Sequence, residues 1–422
     1  MTHRRLNVLT EDYHPAYVVW ELTLRCDHAC THCGSRAGIA RDDELSTAEA
    51  LDVVNGLAKM RTREVVLIGG EAYLHTGFLD IARALVANNI VASMTTGGRG
   101  ITAALAQEMA QAGISGVNVS IDGLQETHDR MRNSPGSFAA GTAAIDNLRA
   151  AGISVGSNIN VNRSNRDDLE PLYDLLRQRG IESWQVQLTA PLGRAADRAN
   201  MVLQPWDLLD LLPRIAALKQ RAYDDDILIM PGNNLGYFGP EEAVLRSLHR
   251  GDKDHWAGCQ AGKFVMGIES DGAVKGCPSL QTAHYVGGNV REKPLQSLWK
   301  DSAAIGFTRN RGIDSLWGFC ATCDFAEVCL GGCSFTAHSI LGRPGNNPYC
   351  HYRARTLAKQ GKRERLVPTT AADGRPFDNG LFDVVLEALD ADDPATNVAS
   401  EQLLQITRRP KRMKPRLEAD SA

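Results

Sequence analysis

The 422-residue sequence predicts an α/β protein: strand–helix units forming an open, partial (β/α)6 barrel, followed by a small cysteine-rich domain. Three observations carry this expectation. β-rich runs alternate with amphipathic helical stretches from residue 17 to about 190, at a spacing of roughly thirty residues. The ten cysteines fall in two groups, Cys26, Cys30 and Cys33 near the start and seven more between Cys259 and Cys350. Beyond residue 257 helical periodicity fades while Gly and Cys increase.

The six strands are read at 17–24, 64–70, 90–96, 116–122, 153–161 and 183–190. Between them run helical segments such as STAEALDVVNGLAKM, which Ser46 or Thr47 can cap. Such alternation implies right-handed βαβ units and a parallel sheet. Six units suit a partial barrel better than a closed one, although the same pattern is compatible with an open or doubly wound sheet. In either case a ligand belongs at the C-terminal strand ends. We divide the chain into an N-terminal tail (1–16), the barrel (17–235), a cysteine-rich domain with its linker (236–355) and a C-terminal extension (356–422). Residues 200–250 read as helical and connective, and GIESDGAVKGCP as a hairpin turning at Asp271–Gly272. The cysteine-rich domain is too small to bury much apolar area, so metal clusters would supply folding energy. In the extension, NGLFDVVLEALD reads as a helix, and the basic RRPKRMKPR at 408–416 as a solvated, disordered end.

Composition narrows the function classes. Apolar residues make up 43% and charged residues 23%, and the net charge of −4 advertises neither nucleic acid nor an anionic membrane as partner. The N-terminus lacks the apolar core of a secretion signal, and no stretch reaches the ~20 apolar residues that span a bilayer. The expected address is the cytoplasm, where clustered cysteines read as metal ligands before disulfides.

Cys26-x3-Cys30-x2-Cys33 follows the first strand directly. Three thiolates on one tight loop can cap three irons of a [4Fe–4S] cube and leave the fourth open. Zinc completed by His28 or His32 is the alternative at this point. After the second strand comes Gly69-Gly70-Glu71, and the fourth strand ends Ser120-Ile121-Asp122-Gly123, followed by His128-Asp129. Together these motifs resemble the radical S-adenosylmethionine superfamily, whose signature the cysteine loop matches. The resemblance implies that Gly69 and Gly70 let the backbone approach the cofactor and that Glu71 receives its ammonium group. It also implies that Ser120 and Asp122 lie near the ribose or methionine end. Two positions depart from the family pattern: His32 stands where an aromatic residue usually precedes the third cysteine, and Ala72 replaces a proline. His128 reads as a packing or hydrogen-bonding residue, and Arg130 and Arg132 as solvated surface charges. Asn160 and Gln187 are expected to point toward the barrel mouth, Asn160 toward the cofactor.

The remaining cysteines run Cys259-x12-Gly272-x4-Cys277, then Cys320-x2-Cys323-x5-Cys329-x3-Cys333, then Cys350. This resembles the seven-cysteine motif of the SPASM domain that follows many radical S-adenosylmethionine enzymes. Family precedent implies one four-cysteine cluster on Cys320, Cys323, Cys329 and Cys350. It gives Cys259, Cys277 and Cys333 to another, for three [4Fe–4S] clusters in all; two zincs fit seven ligands poorly. With every cysteine assigned, no free thiol remains to return a hydrogen atom, which favours net oxidation over epimerisation. The expected function is oxidative crosslinking or dehydrogenation of a peptide or protein side chain, with a ribosomally made precursor as substrate. A small-molecule substrate is the alternative; an electron-transfer scaffold would not need Gly69–Glu71. The resemblance also implies a flavodoxin or ferredoxin as electron donor. Because few residues precede Cys26, leader recognition is expected to fall to a separate protein.

Overall fold

The computed structural model describes residues 12–391. Seven short strands run parallel in chain order: β1 (Tyr17–Glu21), β2 (Glu64–Ile68), β3 (Val91–Thr96), β4 (Gly116–Ser120), β5 (Ser154–Val161), β6 (Ser183–Leu188) and β7 (Leu228–Pro231). Helices α1 (Thr47–Lys59), α2 (Phe78–Ala87), α3 (Ala103–Gln111), α4 (Gln125–Arg132), α5 (Ser137–Ala150), α6 (Leu169–Gln178) and α7 (Leu208–Asp224) connect them. Ser46 caps α1 in a reciprocal box with Glu49, so Ser46, not Thr47, is the cap.

Strand alternation creates two different surfaces. Trp184, Val186 and Leu188 of β6 are buried in the hydrophobic core, whereas Ser183, Gln185 and Gln187 stay half-exposed on the other face. Ser93, Asn118, Ser154 and Gln185 line a cavity of about 1180 Å³. Tyr17, Val66, Met94 and Met230 share that lining, so polar and apolar side chains meet in this cavity at the N-terminal ends of the strands, while the main apolar packing lies between sheet and helices.

Three features differ from the sequence expectation. The parallel array has a seventh strand, β7, in a region read as connective; at four residues it is too short to register as a strand run. Strands β8 (Val265–Ile268), β9 (Ala273–Lys275) and β10 (Val286–Asn289) do not form a separate sheet. The hairpin at Asp271–Gly272 is present, and β8 pairs parallel to β1, with Tyr17 opposite Val265 and Trp20 opposite Ile268. The cysteine-rich segment thus grows directly from the barrel edge, giving one ten-stranded sheet. Finally, the segment read as a helix at 379–390 contains strand β12 (Leu381–Ala388), antiparallel to β11 (Lys362–Thr370). Its partner lies in the preceding segment, where helical periodicity cannot see it. Glu387 pairs with both Arg363 and Arg365 at 2.8 Å, and Phe382 is buried on the inner face. The basic run at 408–416 and most of the N-terminal tail lie outside the described residues. No helix among the described residues is long and apolar enough to cross a membrane.

A buried charge network joins barrel and cysteine-rich segment. Arg41 pairs with Glu21 at 2.7 Å and with Glu269 at 2.9 Å, and fully buried Lys275 pairs with Glu269 at 2.7 Å. Removing one member strands the others in a low dielectric. Lys275→Ala should cost about 3 kcal/mol or more in anaerobic urea denaturation; a loss below about 1 kcal/mol would mean the network contributes little.

Candidate functional site

The first cysteine loop leaves β1 at the C-terminal mouth of the barrel, and neighbouring backbone determines its course. Gly70 N–H donates to the Thr23 carbonyl at 2.7 Å and Glu71 N–H to the Arg25 carbonyl at 2.8 Å. A Cβ on Gly70 would lie 2.2 Å from the Arg25 carbonyl oxygen and 2.6 Å from the Cys26 Cβ. The glycine doublet therefore exists for close approach of the second strand end to the cysteine loop. From the other side Arg194 N–H donates to the Cys33 carbonyl at 2.9 Å, and its guanidinium donates to the carbonyls of Cys30 (2.6 Å) and Ala37 (3.1 Å). Gly193, at φ +56°, packs so tightly that a Cβ would fall 2.2 Å from the Gly34 carbonyl oxygen.

Glu71 is buried. Thr96 Oγ1 donates to one carboxylate oxygen at 2.5 Å and Gly97 N–H to the other at 2.7 Å. Burial pushes its carboxyl up to about 7 against those two bonds. Ligand atoms of Cys26, Asp27 and Glu71 lie within 4.8 Å of one another, and Tyr73 donates its hydroxyl proton to Asp27 at 2.6 Å. This is an acidic corner beside the first thiol, suited to receiving a cationic ammonium.

Asp122 is fully buried with both oxygens engaged inside the protein. Oδ1 accepts from Asn160 N–H at 3.0 Å, and Oδ2 lies 2.7 Å from Arg132 and 3.2 Å from His32. Burial opposes its charge, but Arg132 and His32 outweigh it and hold the carboxyl well below the usual range. Arg132 is not a solvated surface charge, as its sequence context suggested, but a buried side chain. It also reaches Cys30 Sγ at 3.5 Å and the Ser120 carbonyl at 3.2 Å. Arg130 remains on the surface, 3.6 Å from Glu126. His128 accepts from Asp122 N–H at 3.0 Å, the hydrogen-bonding role expected of it. Half-buried Asn160 stands opposite Gln187 in the β5–β6 register at the strand ends.

The seven later cysteines sort into two neighbourhoods. Cys320, Cys323, Cys329 and Cys350 line one cavity with Phe238 and Tyr352 among its walls. Burial pushes the Cys329 thiol up to about 12, with Cys320 and Cys323 adding to it. Cys277 is likewise pushed up to about 12 by burial, with Cys259 and Cys333 adding to it and Lys275 opposing. Among the described residues, Cys26, Asp27 and Glu71 form the sole group of three or more Cys, His, Asp or Glu ligand atoms mutually within 4.8 Å. Tetrahedral zinc at about 2.3 Å per thiolate requires sulfurs about 3.8 Å apart, closer than any three of the described cysteine thiols come to one another. Neither ring nitrogen of buried His28 has a hydrogen-bond partner, Nε2 lying 3.8 Å from Asp27 Oδ1, and neither belongs to that close-packed group.

Sequence reasoning missed Asp27, Thr96, Gly97 and Arg194, and for Arg132 set pairing with a carboxylate behind a surface position. The Gly97–Gly98 doublet ending β3 repeats the signal of Gly69–Gly70 and could have been read. Arg132 and Arg194 carry no such local mark.

An α/β barrel with a three-cysteine loop at its mouth and a cysteine-rich segment on its edge defines a class, and comparison with known proteins identifies it. The radical SAM superfamily model matches residues 20–176, and the SPASM iron–sulfur cluster-binding domain model matches residues 259–324. The chain belongs to the radical SAM superfamily and carries a SPASM domain. It is 30% identical over 369 residues to the mycofactocin maturase MftC of Mycolicibacterium smegmatis, covering 85% of this chain and 88% of that one. It is 28% identical over 349 residues to an AdoMet-dependent heme synthase of Methanosarcina barkeri, covering 80% and 97%. Among solved structures, Streptococcus suis SuiB bound to S-adenosylmethionine aligns with a TM-score of 0.63 at 16% identity, covering 80% of this chain and 76% of that one. The chain is therefore an enzyme of the radical SAM class, with a partial-barrel fold shared by distant relatives.

Gly193→Ala should push the Cys33–Gly34 backbone away and lower the iron held by the first loop, leaving that of the C-terminal cysteines in place. Iron counting with electron paramagnetic resonance after anaerobic reconstitution checks this; full first-loop iron would show that the loop tolerates the methyl group.

Proposed function

We propose that this enzyme cleaves S-adenosylmethionine reductively and uses the resulting radical to oxidise a peptide or protein side chain, forming a crosslink or a double bond. The observation that supports the reading is the spacing of the ten cysteines, which the family resemblance divides into sets of three, three and four with none left over. Cys26, Cys30 and Cys33 would hold the first cluster, Cys259, Cys277 and Cys333 a second with an open position, and Cys320, Cys323, Cys329 and Cys350 a third. When bound, these groups and S-adenosylmethionine supply the electron, the 5′-deoxyadenosyl radical and an electron acceptor.

The chain's own residues do the positioning. Glu71, fixed by Thr96 and Gly97, would receive the cofactor's ammonium beside Cys26, with Gly69 and Gly70 leaving room for it. Ser120 and Asn160 stand at adjacent strand ends where the rest of the cofactor would lie, and Asp122 holds Arg132 and the Asn160 backbone in place. A flavodoxin or ferredoxin would deliver electrons, and the setting would be the cytoplasm. The heme synthases among its relatives support a second reading, a small-molecule or tetrapyrrole substrate.

Anaerobic reconstitution should give about twelve irons per chain, and dithionite with S-adenosylmethionine should yield 5′-deoxyadenosine. Mass spectrometry of candidate precursor peptides should show a two-hydrogen loss. Single-site solvent deuterium without that loss would sink the oxidative assignment, and turnover of porphyrinogen-type substrates alone would favour the second reading. Cys30→Ala should abolish cleavage while keeping auxiliary iron; retained cleavage refutes the first-cluster assignment.

A further inference from the structure

The C-terminal extension, read from sequence as a polar appendage, returns to the site. Between β11 and β12 the loop 371–380 crosses the barrel mouth and touches three separate parts of the molecule. Phe377 N–H donates to the Gly34 carbonyl, one residue after Cys33, at 3.1 Å. Asp378 accepts from Arg36 Nε at 2.8 Å and Nη2 at 3.2 Å, while the other side of that guanidinium is held by Asp197 at 2.6 and 2.8 Å. The Asp378 carbonyl accepts from Gly193 N–H at 2.7 Å, beside the arginine that pins the cysteine loop. On the far side the Phe377 ring lies 4.0 Å from Lys275 Nζ, two residues before Cys277, and Asn379 donates to the His338 carbonyl at 3.4 Å.

Two further facts mark this contact as built. Phe377 and Arg36 both hold left-handed backbone, at φ +55° and +51°, without being glycines. Such conformations persist when surrounding contacts over-determine them. The loop's ends are also fixed: Leu366 of β11 bonds through its backbone to Gln204, and Glu364 makes a buried bidentate pair with Arg353.

We propose that residues 371–380 form a strap, with Phe377 and Asp378 as positioning residues that clamp the first cysteine loop to the auxiliary-cysteine segment. One residue, Phe377, bridges the backbone beside Cys33 to the ammonium two residues before Cys277. The bidentate Asp378–Arg36 pair fixes the loop's direction, and the ring shields this side of the mouth from water, as radical chemistry requires. This role rests on the proposed function, but the clamp itself can be measured without turnover.

The test uses the full-length, anaerobically reconstituted protein with Phe377→Ala and Asp378→Asn. Hydrogen exchange at amides 33–37 and at Gly193 should quicken about tenfold or more in both variants, with exchange elsewhere in the barrel unchanged. Chelator bleaching of first-loop iron should quicken in parallel, and 5′-deoxyadenosine formed per modified peptide should rise. Phe377→Leu, which keeps an apolar cover, should restore slow bleaching. Unchanged exchange at 33–37, or acceleration spread evenly over the molecule, would overturn the strap. A wild-type protein that forms no 5′-deoxyadenosine but shows the local exchange pattern would sink the proposed function and leave the clamp standing.

Discussion

The arrangement at the barrel mouth depends on how the backbone between Cys26 and Arg36 is held. A loop this short, carrying three buried or half-buried thiols, has little regular structure to stabilise it. Its carbonyls are satisfied from outside: Arg25 by Glu71, Cys30 and Cys33 by Arg194, and Gly34 by Phe377. Each contact comes from a different segment, so the loop is a meeting point of β2, the chain after β6, and the C-terminal hairpin. Buried backbone acceptors demand partners, and meeting that demand at one place fixes the relative positions of segments far apart in sequence.

Charge burial supplies a second level of organisation. Asp122 keeps its charge in a dry site because Arg132 and His32 compensate it, and Arg132 carries that compensation to Cys30 at 3.5 Å. Across the mouth, against burial, Lys275 and Arg41 hold the Glu269 carboxyl below its usual range, whereas burial outweighs Arg41 and raises that of Glu21, with β1 paired to β8 beneath them. Such networks are costly to break and specify geometry more than they add stability. Their common effect is to fix the first cysteine loop and the Cys277 segment as parts of one structure.

The sequence made the parallel array legible because six strands of five to eight residues alternate with long amphipathic helices, two strong periodicities. It left β7 hidden at four residues, and β12 hidden because its pairing with β11 is non-local. The two cysteine groups were legible from spacing, their division into sets only through the family resemblance, and Cys320, Cys323, Cys329 and Cys350 line one cavity. Glu71 and Asp122 were found through the motifs around them. Arg132 and Arg194 were not, since a buried arginine looks like a surface one until its carboxylate or carbonyl partners are known. Phe377 and Asp378 were hidden for the same reason: they sit in a polar, glycine-containing stretch whose meaning depends entirely on what it touches.

The buried thiols raise a last point about order of assembly. Burial pushes Cys30, Cys277, Cys329 and Cys333 above ordinary thiol values, so thiolates at these positions are disfavoured without a compensating cation. Metal loading must then remove several protons, which couples cluster assembly to pH and to local opening of the site. The cysteine-rich segment has strands of only three or four residues and cannot rely on its own core. Yet β8 is paired to β1, whose other side is paired to β2 inside the main core. The barrel edge therefore anchors the start of the segment that carries the later cysteines, and that anchorage, not a core of its own, holds the segment against the first cysteine loop.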